Sequence, residues 1–339
     1  MQSFLKYSIW FWWTALIAWI IIDLVWGLDM FNNSIQGTIA MQTIHNGAWV
    51  WWNNTWFAIT DFLWSWWPLI AVFCYPDKRV ALKTFTLRLI MMWLKNNLKL
   101  IYLDNRPNIV SKDITAMTCR CEFGKPSGTL INTTTILMFI FWDLFARHPK
   151  INWKCRVASL FVAKIITIQV LFTVMWMGLH SYNQMIYAAL VSIAFFYLFA
   201  YYDRHFLKFW FHLIDHRANP TLTRKYLWLS AVITVLVIAI YTGLLLGRWN
   251  VKDFSIALQG ACPNCAYVNW CWETILQDTS FFGFPCAVAA LGIKSHQWTD
   301  NPNYIRQNCT LRGLLRFALT FICWMPISIW YWPSFTNFT

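Results

Sequence analysis

Apolar runs approaching twenty residues recur along this 339-residue chain, and they leave few folds open to it. A helix of about 20 apolar residues spans the hydrocarbon core of a bilayer. Inside that core every backbone N–H and C=O must find a partner within the protein, which a helix provides along its own length. Nine spans are expected, near 8–27, 55–75, 82–103, 130–146, 157–179, 185–203, 226–246, 280–294 and 313–332. The eighth is short and contains Pro285, which predicts a tilted, broken or re-entrant segment. The stretch 34–52 is mildly apolar and ends in Trp49, Trp51 and Trp52, the pattern of a helix lying in the interface. Composition agrees: 12% of residues are charged, against roughly 25% in a soluble domain. The 25 Trp residues suit interfacial belts, where an amphipathic ring sits at headgroup level. The expected fold is therefore all-α, a polytopic membrane helical bundle of about nine transmembrane helices. No internal repeat and no soluble second domain is evident.

Charge orients the spans. The formal net charge is +13, which in a soluble chain would point to nucleic acid. Here the basic residues cluster in short alternate loops: Lys78, Arg79 and Lys83; Arg147, Lys150, Lys154 and Arg156; Arg204, Lys208, Arg217, Arg224 and Lys225. Topology and anionic lipid account for that pattern, so membrane lipids are the expected partners and nucleic acid is not. The stretch 28–54 has no Lys or Arg. The N-terminus is thus expected inside, and loops 104–129 and 180–184 on the outer, lumenal or intermembrane face. No cleavable signal or transit peptide is evident, and the first run is long enough to remain as an anchor. An endomembrane such as the endoplasmic reticulum fits this pattern, with the mitochondrial inner membrane as the alternative. Of five Asn-x-Ser/Thr sequons, only Asn32 lies in an expected outer loop with clearance from the membrane.

Five of the ten cysteines fall in two expected outer loops, Cys119 and Cys121 in one, Cys262, Cys265 and Cys271 in the other. An oxidising lumen would let these loops be bridged. Free thiols come second and a metal site last, because no His lies near the C-P-N-C pair. Asp23 and Asp143 lie within or at the ends of spans, close enough to an end to reach the interface. His212 and His216 share a helical face with i,i+4 spacing, but Arg204, Lys208 and Arg217 surround them and disfavour a cation. Neither a metal nor another cofactor is expected.

The chemistry concentrates between Lys99 and Thr129. Lys99, Arg106 and Pro107 stand in the spacing K-x6-R-P, and Pro126-Ser127-Gly128 follows. Two fixed cations and a tight Ser-Gly turn at a helix start are what a phosphate group requires of a protein. His180 opens a short connection after the fifth span, on the same expected face.

This arrangement resembles the type 2 phosphatidic acid phosphatase superfamily of membrane enzymes, and within it the glucose-6-phosphatase-like members. That family carries K-x6-R-P, P-S-G-H and S-R-x5-H-x3-D. The first motif is intact. The second is present except that Thr129 replaces its His, and Cys121-Glu122-x-Gly124 is similar to the residues that precede it in glucose-6-phosphatase. The third keeps His180, with Thr173 and Val174 at its Ser and Arg positions and Gln184 at its Asp position. The resemblance covers roughly residues 55–205. It divides the chain into an anchor and interfacial helix (1–54), a phosphatase-like core (55–205) and C-terminal transmembrane helices with the Cys-containing loop (206–339).

The resemblance implies that Lys99, Arg106, Ser127 and Gly128 bind phosphate, that His180 is the nucleophile forming a phosphohistidine, and that Gln184 orients it. It also implies a degenerate site. A Thr hydroxyl is a poor proton donor near neutral pH, and general acid catalysis contributes about 10²–10⁴-fold. Val174 removes a charge-assisted donor of the kind that contributes about 3–4 kcal/mol to transition-state stabilisation. A catalytically impaired homologue is therefore expected, serving as an accessory subunit beside other membrane proteins or binding a lipid phosphate. The alternative is an active lipid-phosphate or phosphomonoester phosphatase in which water, Glu122 or His45 delivers the proton. A channel or transporter is disfavoured, since no matched pair of broken helices divides the chain into halves.

Overall fold

The computed structural model describes residues 2–44, 46–74, 78–115, 117, 120, 122–142 and 152–206, with isolated helical positions between 208 and 260. Among these residues the regular structure is entirely helical, in seven elements: α1 (Gln2–Gln42), α2 (Gly47–Cys74), α3 (Lys78–Tyr102), α4 (Pro107–Val110), α5 (Gly128–Phe141), α6 (Trp153–Trp176) and α7 (Tyr182–Tyr201). Ser3–Gln42, Val157–Trp176 and Tyr182–Tyr201 are long and apolar enough to cross a membrane. The expected spans 280–294 and 313–332, and most of 226–246, lie outside the described residues.

The first two elements depart from expectation. No Pro precedes position 68, so nothing in α1 interrupts the hydrogen-bond ladder. The helix continues unbroken through Gln42, for 41 residues or roughly 60 Å, about twice the hydrocarbon thickness. It stops where Thr43 Oγ1 turns back to Ala40 O (2.7 Å) and Asn46 Oδ1 accepts the Trp49 N–H (2.7 Å), capping α2. The interfacial helix expected over 34–52 therefore does not exist as a unit. Its residues are divided between the end of α1 and the start of α2, and a boundary at 54/55 falls inside α2. The reason is tertiary: Ser34, Thr38, Gln42 and Asn53 are all buried against the bundle. Asn32 lies on exposed helix rather than in a loop.

The remaining helices alternate in direction, so that α3 and α6 end, and α5 and α7 begin, at one end of the bundle. At the other end Lys83 of α3 and Asp203 beyond α7 form a buried ion pair (2.7 Å). The core lies between α5, α6 and α7. Phe139 meets Phe196 edge-on (centroids 5.2 Å), Trp142 packs on Phe196 (6.0 Å), and Trp176 is buried. Ala163, Ala188 and Ala194 are fully buried. Small residues at such positions let helices approach closely where lipid removes the hydrophobic drive to associate. Helix α1 runs antiparallel to α7, with Trp12 stacked on Tyr197 and Trp13 beside Phe195. Its other face, including Tyr7, Trp10, Phe11, Leu24 and Val25, is exposed as a lipid-facing surface would be.

Candidate functional site

Local chemistry gathers the site at the end shared by α3, α5, α6 and α7. After Tyr102 the backbone takes a left-handed turn at Leu103 (φ 54°). Arg106, preceding Pro107, is extended (φ −82°, ψ 151°), as a pre-proline residue must be, and Pro107 opens α4. The second segment folds back beneath it: the Gly124 N–H bonds Asp104 O (2.7 Å). A Cβ at Gly124 would stand 2.6 Å from both amide atoms of Gln184 and 2.9 Å from Asn105 O, so only glycine fits. Ser127 then caps α5, its side chain accepting from Leu130 N (3.4 Å). The third segment turns through Gly178 (φ +74°). Gln184 Oε1 accepts the Ser181 N–H (3.3 Å), which sets the start of α7 immediately after His180.

These turns bring Lys99, Arg106 and His180 together. Arg106 Nη1 lies 3.0 Å from His180 Nε2 and donates to Leu179 O at 3.0 Å. Arg106 Nε donates to Glu122 O (2.7 Å) and Nη2 to Glu122 Oε1 (3.0 Å). Lys99 Nζ donates to Phe123 O (2.6 Å) and pairs with Glu122 Oε1 (2.9 Å). Lys95, one helical turn before Lys99, reaches Glu122 Oε2 at 3.6 Å. The three cations are buried, whereas the Glu122 side chain keeps 20% of its exposure. Glu122 therefore stands between the cations and the outside.

Burial alone would raise the Glu122 carboxyl, but Lys99, Lys95 and Arg106 outweigh it and hold the group well below the usual carboxylate range. Burial, then the neighbouring Arg106 and Lys99, push the His180 imidazole well below its ordinary value, so it is neutral. Burial lowers the Arg106 guanidinium to about 10, which leaves it charged near neutral pH. Nε2 of a neutral His180 faces an Arg donor and so acts as acceptor, placing the proton on Nδ1, which makes no well-formed hydrogen bond among the described residues, the Gly124 backbone being a weak partner of the ring.

The other expected residues are placed as follows. Ser127 is buried as the α5 cap. Gly128 admits Lys95, whose Cδ would be 2.8 Å from a Cβ there. Gln184 Nε2 donates to Asn105 O (2.8 Å), so its amide bonds two backbone segments of the site rather than the imidazole. Thr129 is half-buried in the first turn of α5. Val174 is fully buried in the apolar core, and Thr173 donates to Asn53 Oδ1 of α2 (3.1 Å). Cys119, Cys121, Cys262, Cys265 and Cys271 lie outside the described residues, as do His45, Asp143, His212 and His216. Among the described residues no group of His, Cys, Asp and Glu is arranged to hold a metal.

Three residues have roles that the sequence reading does not give them: Lys95 is not singled out, Glu122 is an alternative proton donor, and Asp23 is a carboxylate near the interface. Lys95 was visible in principle, since i,i+4 spacing puts it on the Lys99 face of α3. Glu122 carried no local sign of its role, because its partners lie 16 to 27 positions away and only the tertiary fold supplies them. Asp23 is held inside the bundle. It is buried, paired with Lys125 and accepting from Asn183 Nδ2 (3.3 Å), because α1 carries it onto the turn before Pro126.

A family model described as the PAP2 superfamily matches residues 80–208, which contain all but the first two residues of α3, the whole of α4 to α7 and every cation of the site. That segment is similar to the PAP2 superfamily. The matched segment is thus a PAP2-like region set in a membrane bundle that is all-helical among the described residues. No curated protein and no solved structure matches it. Helices α1 and α2 precede the matched segment, yet α1 supports the site directly. Its Gln42 donates to Thr115 O and Trp176 O (both 2.9 Å), and its Ser34 accepts from Tyr182 N (2.9 Å).

Proposed function

We propose that this PAP2-like protein is a catalytically impaired phosphatase homologue. It serves as a structural subunit of a membrane assembly, or holds a phosphate-bearing lipid, without turning phosphoesters over efficiently. One observation carries the reading: the groups that would grip a transferring phosphoryl group are engaged by the protein itself. The Nε and Nη2 groups of Arg106 form the fork that normally meets two oxygens of an anion. Here both bond to Glu122, through its backbone carbonyl and its carboxylate, while Nη1 serves Leu179 O and His180. The substitutions act in the same direction. Thr129 offers no acidic proton, and a carboxyl held ionised as Glu122 is cannot replace it. Val174 leaves an apolar side chain where the family has a guanidinium. Losses at one site are not additive, but together they support a rate lower by about 10⁴-fold or more.

The N-terminus is read as inside and the site as facing the lumenal or outer side, in an endomembrane or, alternatively, the mitochondrial inner membrane. Bridging of the Cys-bearing loops belongs to the same reading.

A second reading, an active phosphatase with a phosphohistidine intermediate, is favoured by the neutral His180 beside Arg106. Turnover separates the two. Purified protein in detergent or lipid is assayed on phosphatidate, diacylglycerol pyrophosphate and a generic phosphoester, with His180→Ala as control. The expected result is no phosphate release above that control. Release that His180→Ala abolishes would overturn the non-catalytic reading.

A further inference from the structure

Glu122 makes contacts of the kind a phosphate makes. One of its carboxylate oxygens bridges Lys99 and Arg106, the other faces Lys95, and its own carbonyl completes the Arg106 fork. The backbone that follows it is pinned separately. Lys99 holds Phe123 O, Asp104 O holds the Gly124 N–H, and Asp23 with Asp104 holds Lys125. The carboxylate can therefore leave by side-chain rotation alone, toward the solvent it already partly meets. Its departure would expose three buried cations, Lys95, Lys99 and Arg106, around one vacated seat. Lys95 then supplies a third positive charge in a site that has lost one at Val174. Its approach depends on the missing side chain of Gly128.

We propose that Glu122 is an exchangeable internal ligand of this site, and that a phosphate group, free or on a lipid, enters by displacing its carboxylate. Three cations with one retained carboxylate leave two positive charges. With the carboxylate swung out, a phosphate dianion meets all three. Acid does not open the seat in the ordinary range, because the cations keep Glu122 ionised. A competing anion does. The inference rests on the reading of this site as a phosphate cradle and adds what controls its occupancy.

The test is titration of the detergent-solubilised full chain with inorganic phosphate and, separately, with phosphatidate in mixed micelles. Wild type is compared with Glu122→Gln, Glu122→Ala and Glu122→Asp. Gln and Ala remove the competing charge. Asp keeps the charge that balances the buried cations but reaches less far, so it guards against loss of the fold. Gln and Ala are expected to bind phosphate about tenfold more tightly or better, Asp to fall between them and wild type, and Lys99→Gln added to Glu122→Ala to abolish the gain. A gain for inorganic phosphate and phosphatidate alike identifies the headgroup as the ligand, and a gain for phosphatidate alone a lipid. No gain in any folded variant overturns the proposal. Collapse of all three variants overturns it too, since a carboxylate the fold cannot lose is not exchangeable. The functional reading fails separately, through His180-dependent turnover by wild type.

Discussion

His180 shows how burial fixes the state of a single residue. An exposed imidazole titrates near 6.5, whereas here burial beside Arg106 and Lys99 keeps it neutral well below that value. A basic group whose folded pKa is depressed contributes stability that is complete above its unfolded pKa. That stability is lost as pH falls from there toward the folded value, because only the unfolded chain takes up the proton. Tryptophan-monitored thermal unfolding should therefore show wild type losing stability from about pH 6.5 downward. His180→Asn, whose amide oxygen can still accept from Arg106, should flatten that slope. Glu122 is also depressed, from an ordinary 4.5. Its own contribution is lost only from about pH 4.5 downward, so loss of stability between about pH 6.5 and 4.5 does not come from Glu122. An unchanged slope in His180→Asn would show that the imidazole is not the group responsible.

At the scale of elements, α1 is what the sequence concealed and the structure supplies. The absence of Lys and Arg over 28–54 looks like a loop with an interfacial helix. It is instead helix whose polar residues, Ser34, Gln42 and Asn53, each find a partner in the bundle. No local pattern reveals such partners, because they lie 73 to 148 positions away. The motif spacing was more legible. K-x6-R-P sets Lys99 on the last turn of α3 and Arg106 just past a pre-proline bend, so both face one end of the bundle. The joining of His180 to them was foreseeable only as an expectation from family likeness and charge bias. The clamp of α1 on the site is testable. Asp23→Ala leaves Lys125 buried with the more distant Asp104 (3.5 Å) as its remaining carboxylate among the described residues, beside the Tyr102 ring (4.3 Å). It should cost about 3 kcal/mol, the scale of a broken buried pair. Asp23→Leu with Lys125→Met, which removes both charges, should recover most of that loss in thermal unfolding. Equal loss in the single and double variants would assign the effect to packing.

Taken whole, the molecule is a membrane bundle in which a phosphatase-type constellation is assembled and then satisfied from within. The scaffold gives the constellation a structural role that does not depend on turnover. Arg106, Lys99 and Glu122 join α3 to the segment before α5 and to the α6–α7 connection, so the same contacts that recognise an anion also fix three segments to one another. A chain that needs this junction for its fold retains it whether or not it hydrolyses anything. The most direct measurement is rapid acid-free quench of wild type mixed with a ³²P-labelled phosphoester, followed by a search for phosphohistidine at position 180. The account predicts no label on His180 at any time. Label that appears within the first turnover and vanishes in His180→Ala would contradict it.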